Sequence, residues 1–175
     1  SAYHSDATDP VKLKISSRIN GVWQNETIPS LSPNSGINLD MVIDSQDFIH
    51  IMANAGSWGH VYSGTLGNWQ GHSLGNPVYF PAIAVDSNDD LHIAYHIGSP
   101  KKLMYTNYVS GVWSSATQIH NGGWSIGMTV DDNDDIFIAN AKTNVIPEEL
   151  SLTTHQGTGN GLTVHPIFEV SPPLP

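Results

Sequence analysis

Two markers that recur at one period, together with the lack of any helical periodicity, predict an all-β fold: a β-propeller of four-stranded antiparallel blades. The first marker is an apolar strand running into an acidic turn and out into a second strand. It reads "MVIDSQDFIHIM" from Met41, "IAVDSNDDLHIA" from Ile83 and "MTVDDNDDIFIA" from Met128, with leading aspartates Asp44, Asp86 and Asp131 spaced 42 and 45 residues apart. The second marker is a tryptophan, in "INGVWQNETI" (Trp23), "LGNWQGHSL" (Trp69) and "VSGVWSSATQI" (Trp113), spaced 46 and 44. "GNGLTVHPIF" stands where a fourth copy belongs, with Leu162 in place of tryptophan.

Within a unit each strand has its own signature. "AIAVD" (82–86) is nearly continuous apolar sequence, as suits a strand covered on both faces. "LHIAYH" (91–96) and "KLMYTNY" (102–108) alternate, and "VWSSATQI" (112–119) follows Ser110-Gly111, a hairpin signal. The N-terminal "SAYHSDATDPVKLKISSRINGVW" aligns with "IAYHIGSPKKLMYTNYVSGVW", so Ala2-Tyr3-His4 corresponds to Ala94-Tyr95-His96. The expected organisation is a partial blade over 1–33 and blades over about 36–75, 78–120 and 123–170. These form one propeller domain over 1–175, which further blades from the same or another chain would complete.

Composition narrows the partners. Six Lys and Arg against sixteen Asp and Glu give a net charge of −10, and only 13% of residues are charged. Such a chain cannot neutralise a run of phosphates, which disfavours nucleic acid. No apolar run approaches the roughly 18 residues of a membrane span. With no cysteine there is neither a disulfide framework nor a thiolate metal site. Low charge and loops rich in Gly, Ser and Asn suit an extracellular, cell-surface or virion-surface location.

The acidic turns read first as turns. A leading Asp accepts backbone N–H bonds across the turn, and a later Asp or Asn tolerates the left-handed conformation. A calcium reading draws on Asp131, Asn133 and Asp135, whose oxygens alternate, although the Gly and distal Glu of a calcium loop are missing. No other metal or cofactor is expected. Nine histidines without H-x-H or H-E-x-x-H give no zinc pattern.

The wording "AVDSNDDLHIAYH…LMYTN…GVW" resembles the blades of sialidase-like (BNR-type) and NHL-type propellers. The resemblance is one of blade grammar. The Asp-box S/T-x-D-x-G-x-T-W is missing, and the carboxylate clamp of three arginines that a sialidase implies cannot be built from Arg18 alone.

Candidate ligand residues lie in the loops expected at one mouth of a propeller: His4, Trp58, Tyr79, Tyr95, His96 and Trp124. Aromatic faces stack on sugar rings, while imidazoles and amides bond hydroxyls. Tyr95-His96 draws particular notice because the repeats diverge there, and a neutral His beside a Tyr could serve as general base and acid. The leading expectation is a recognition or adhesion module that binds glycan or another surface component. The alternatives are a polysaccharide hydrolase or lyase domain completed by other blades, and a structural scaffold or fibre subunit.

Overall fold

The computed structural model describes residues 13–29, 35–55, 58–142, 149–155 and 162–168, and all regular structure among them is β-strand. Strands β1 (Lys14–Ile19) and β2 (Val22–Thr27) form a first, two-stranded sheet. The second sheet holds β3 (Ser35–Ile43), β4 (Ile49–Ala55), β5 (Trp58–Thr65) and β6 (Asn68–Pro77). The third holds β7 (Tyr79–Val85), β8 (Leu91–Ile97), β9 (Lys102–Val109), β10 (Val112–Trp113) and β11 (Thr117–Asn121). The fourth holds β12 (Ser125–Val130), β13 (Ile136–Lys142), β14 (Glu149–His155) and β15 (Leu162–Phe168). Each is an antiparallel meander, and none closes on itself.

The hairpins follow from local chemistry. Asn20-Gly21 and Ser110-Gly111 both take positive φ at two successive residues, the twist-matched geometry of a two-residue turn. The expected strand 112–119 is broken in two, because Ser114 competes for its own ladder. Its Oγ accepts the Asn107 N–H at 3.0 Å, and its carbonyl accepts the Thr106 hydroxyl at 2.9 Å. β10 and β11 therefore both pair with β9, either side of the interruption.

Period-2 alternation sends successive residues of each second strand to opposite neighbours. On β4, Ile49, Ile51 and Ala53 join Leu13, Ile15 and Ile28 of the first-sheet region in one core, while Met52 faces the other way. Met52 and Val61 meet Ile83, Leu91, Ile93 and Tyr95 of the third sheet. On β8 the opposite side, through Ala94, meets Ile136 and Ile138 of the fourth. The sheets are thus layered in chain order, with β3 against β7 and β7 against β12. Asp40 Oδ2 accepts the Ile83 N–H at 3.0 Å, tying the first strands of two sheets together where neither is the other's ladder partner.

The acidic turns are built as expected, and they also join the layers. Asp44 Oδ1 accepts the N–H groups of Gln46 and Phe48, and Asp86 and Asp131 each accept two in the same pattern. The fourth turn residue, Asp47, Asp89 or Asp134, takes the left-handed conformation near φ +63°. From there Asp89 reaches back to the preceding turn, where it accepts the Ser45 N–H at 2.8 Å and the Ser45 hydroxyl at 2.7 Å. Asp134 does the same to Ser87, with the same two distances.

The second carboxylate oxygen of the leading Asp holds a histidine. His50 Nε2 lies 3.0 Å from Asp44 Oδ2, and His92 Nε2 lies 3.2 Å from Asp86 Oδ2. Asp86→Ala removes the acceptor for two turn amides and leaves Nε2 of the buried His92 ring without its partner, Nδ1 keeping the Tyr105 hydroxyl. It is expected to cost about 2–3 kcal/mol of stability, read as a lowered urea midpoint at unchanged m-value.

Candidate functional site

The seam between the second and third sheets is open, and two clefts lie along it. The larger, about 450 Å³, opens beside the acidic turns and is lined by Asp44, Gln46, Phe48, His50, Ser63, Gln70, Asp89 and Tyr108 among others. The smaller, about 370 Å³, is lined by Leu74, Asn76, Tyr95, Ile97, Met104, Thr106 and Ser114 among others. His72 and Trp113 line both. Their rings stack at 4.8 Å and 7°, and Tyr108 leans on Trp113 at 5.0 Å. Burial, and then the neighbouring His60, hold the His72 imidazole below its usual range, favouring the neutral ring in this stack.

The local sequence explains the opening. Along β6, Gln70, His72, Leu74 and Asn76 fall on one face by strand alternation and look into the seam. Trp69 looks the other way, and its indole N–H donates to Glu26 Oε1 at 2.9 Å in the first sheet. On β5, Val61 is small enough to leave space beside His50. At the next seam the same register position is Tyr105, whose hydroxyl lies 2.7 Å from His92 Nδ1. Burial pushes the Tyr105 phenol up to about 12.

The candidate residues divide into groups. Tyr95 is fully buried and lines the smaller cleft, where burial raises its phenol above the usual range against a smaller, opposite effect of Asn76. His96, one residue on, points to the opposite side of β8 and is buried against the fourth sheet. The pair therefore cannot act on one substrate as acid and base, because successive strand residues face opposite ways. Trp124 is half-exposed and sits near His96, with the Lys101 ammonium over its ring. Tyr79 is exposed and directly opposite His96 in the ladder. Trp58, opposite Pro77 at the start of β5, lines neither cleft. His4 lies outside the described residues.

His96 carries an unusual burden. Neither ring nitrogen has a hydrogen-bond partner of good geometry, and neither does Asn140 Oδ1 beside it. Gly123, at φ +123°, packs directly over both side chains, where a Cβ would collide with them. Burial, and then the Lys101 charge, lower the imidazole to about 4. The calcium candidates have other occupations. Asp131 Oδ1 is taken by its own turn amides, and among the described residues no cluster of three or more His, Asp or Glu side chains could hold a metal ion.

Sequence reasoning passed over the seam residues Gln70 and Asn76, and read Trp113 as a repeat marker. The available signal was "QGHSLGN", where the larger side chains Gln70, His72, Leu74 and Asn76 alternate with Gly and Ser along an edge strand.

Because His96 is neutral when folded and titrates near 6.5 when unfolded, its stabilising contribution is fully present above pH 6.5. It is lost as pH falls towards 4, by on the order of 3 kcal/mol. Thermal melts of wild type should show this slope between pH 6.5 and 4, and His96→Gln should flatten it.

Comparison with known proteins gives a likeness of fold to solved structures. No protein-family model matches the sequence, and no curated protein matches it. Among solved structures, a fucose lectin from Kordia zhangzhouensis in complex with methyl-fucoside superposes with a TM-score of 0.50 at 14% identity. The match covers 73% of this chain and 97% of that one, a likeness of all-β fold.

Proposed function

We propose that this chain is a β-propeller module that binds carbohydrate in the seam between its second and third sheets. The observation that carries the reading is the pair of clefts divided by the stacked Trp113 and His72. Their volumes lie in the range of small-molecule sites. Carboxylates, amides and imidazoles on one side of Trp113 can bond sugar hydroxyls. On the other side, Leu74, Ile97 and Met104 form an apolar wall beside Tyr95, Thr106 and Ser114. That combination suits a deoxysugar, with a methyl group against the wall and hydroxyls towards the polar groups.

Two further points support the reading. Three meanders whose first strands lie side by side are what successive propeller blades require. The fold likeness is to a lectin that was solved with methyl-fucoside. Kinship with sialidase-like or NHL-type repeats, and a surface or extracellular location, belong to the same proposal. They rest on the blade wording and the composition.

Isothermal titration with methyl-fucoside and a panel of neutral monosaccharides tests it. Binding on the order of 1 mM or tighter is expected for at least one of them. Val61→Tyr, which copies the filled register of Tyr105, should weaken that binding at least 10-fold while the circular dichroism spectrum is kept. Gln70→Ala, on the exposed rim, should weaken it less. No heat and no shifted resonance with any sugar at tens of millimolar would sink the proposal.

A further inference from the structure

One apolar face of the second sheet is covered over half its width. Ile49, Ile51 and Ala53 of β4 are buried against Leu13, Ile15 and Ile28. Their ladder partners on β3 are Ile43, Met41 and Leu39, which share that face and are 53%, 43% and 52% exposed. At the next two interfaces the same stripe is closed. Pro81 and Ile83 of β7 are buried and Val85 is half-buried. Ile126, Met128 and Val130 of β12 pack against the core that joins Ala94 and Leu103 to Ile136 and Ile138. The exposed stripe therefore continues an interface that is already formed beside it.

The first sheet shows what would continue it. β1 holds the place in its layer that β9 holds in the third sheet, as "KLKISSRINGVW" and "KLMYTNYVSGVW" show. β9 pairs with β8 on one side and with β10 and β11 on the other. Among the described residues β1 pairs with β2 alone. Strands in the places of β7 and β8, added along the other edge of β1, would lie over Leu39, Met41 and Ile43.

The turns make the same point independently. Asp89 and Asp134 each bind the serine that stands second in the preceding turn, Ser45 or Ser87. Asp47 has the same left-handed backbone, at φ +64°, and is exposed where those two are half-buried. The fourth sheet is the opposite case. Exposed Asp132 stands where Ser45 and Ser87 stand, so an Asp arriving from a following layer would meet a like charge. A second copy presenting its fourth sheet to Asp47 would set Asp132 against it, and Ser45 and Ser87 are already engaged.

We infer that the face formed by β1 and β3 is an interaction surface for a β-hairpin of a partner polypeptide, a first and second strand of the same repeat type with serine second in its turn. The partner's second strand extends the first sheet along β1, its apolar side covers Leu39, Met41 and Ile43, and its serine bonds Asp47. The inference goes beyond the carbohydrate reading and does not depend on it.

The probe is the hairpin of residues 79–98, which carries Ser87, displayed on a small soluble carrier protein and titrated into the intact chain. Calorimetry should give a Kd on the order of 100 μM or tighter, with none for the bare carrier. Methyl resonances of Leu39 and Met41 and the amides of Lys14–Ile19 should shift. Ser87→Asp in the probe should weaken binding about 10-fold, since it removes one hydrogen bond to a carboxylate and adds a like charge. The fourth sheet's own turn closes with Asp132 in that place, so this change leaves the hairpin intact. Asp47→Gly in the chain keeps the left-handed turn and should weaken binding by a similar factor. Absence of binding, equal binding of the Ser87→Asp probe, or shifts at Val42 and Met52 in place of Leu39 and Met41 would each overturn the inference. So would self-association of the free chain that Met41→Lys abolishes, which would assign the face to a second copy. Exchange protection in the free chain of the β1 amides not used by β2 would overturn it too, because another segment of the chain would already hold that edge. If Asp47→Gly does not fold, the contrast between the two probes on wild type decides alone.

Discussion

The turn aspartates are the constraint on which the rest of the structure depends. In each full turn, one carboxylate closes the loop between the first and second strands. In the third and fourth sheets another, three residues on, reaches back to the turn before it. The reach is possible because Asp89 and Asp134 sit in the left-handed region, which aims their side chains away from their own hairpins. Hydrogen bonds from Ser45 hold the Asp89 carboxyl below the usual range, and those from Ser87 do the same for Asp134. A contact repeated at one point of each layer sets how every sheet is laid on the last. It also fixes which residues of the second strands meet.

Once the layers are placed, alternation along the strands decides everything between them. β8 shows it residue by residue. Leu91, Ile93 and Tyr95 serve one seam, and His92, Ala94 and His96 the other. Both faces are covered, so there is no solvent side on which a polar residue is free of cost. His92 meets that cost with Asp86 and Tyr105. His96 does not meet it, and the interface carries the strain as a depressed imidazole beneath a glycine loop. The uncovered margin behaves in the opposite way. Trp69 and Trp113 each lean on the sheet before them, but their counterpart Trp23 has none described before it and is 66% exposed.

Much of this was legible in the sequence, because the repeats report what each position must do in common. Asp44, Asp86 and Asp131 agree, and their shared role as turn acceptors follows from the side chain alone. The all-β architecture and the hairpin at Ser110-Gly111 follow from period and turn chemistry. Less legible was anything that depends on two sheets meeting. Tyr95-His96 drew notice as an adjacent pair, yet adjacency along a strand separates side chains. Trp113 was correctly recognised as a recurring position, but its stacking partner His72 comes from another sheet, 41 residues away along the chain. The break at Ser114 was hidden for a similar reason: its hydroxyl competes for a ladder amide only once β9 lies beside it.

The seams differ, and that difference explains why near-identical layers leave a cleft at the seam after the second sheet. At the seam after the second sheet, the register position opposite Met52 is Val61 and the histidine's second nitrogen is met by the short Ser63 hydroxyl, 2.8 Å from His50 Nδ1. At the seam after the third, Tyr105 supplies both bulk and hydroxyl, its ring lying at 15° to His92. One substitution class, small aliphatic against phenol, thus converts a filled interface into a hollow one without touching the turns that position the sheets. The structural aspartates can stay constant while the residues one register away vary. The cleft proposed as a binding site thus owes its opening to a position where the layers disagree, Val61 against Tyr105, while the turn aspartates on which they agree hold the layers in place.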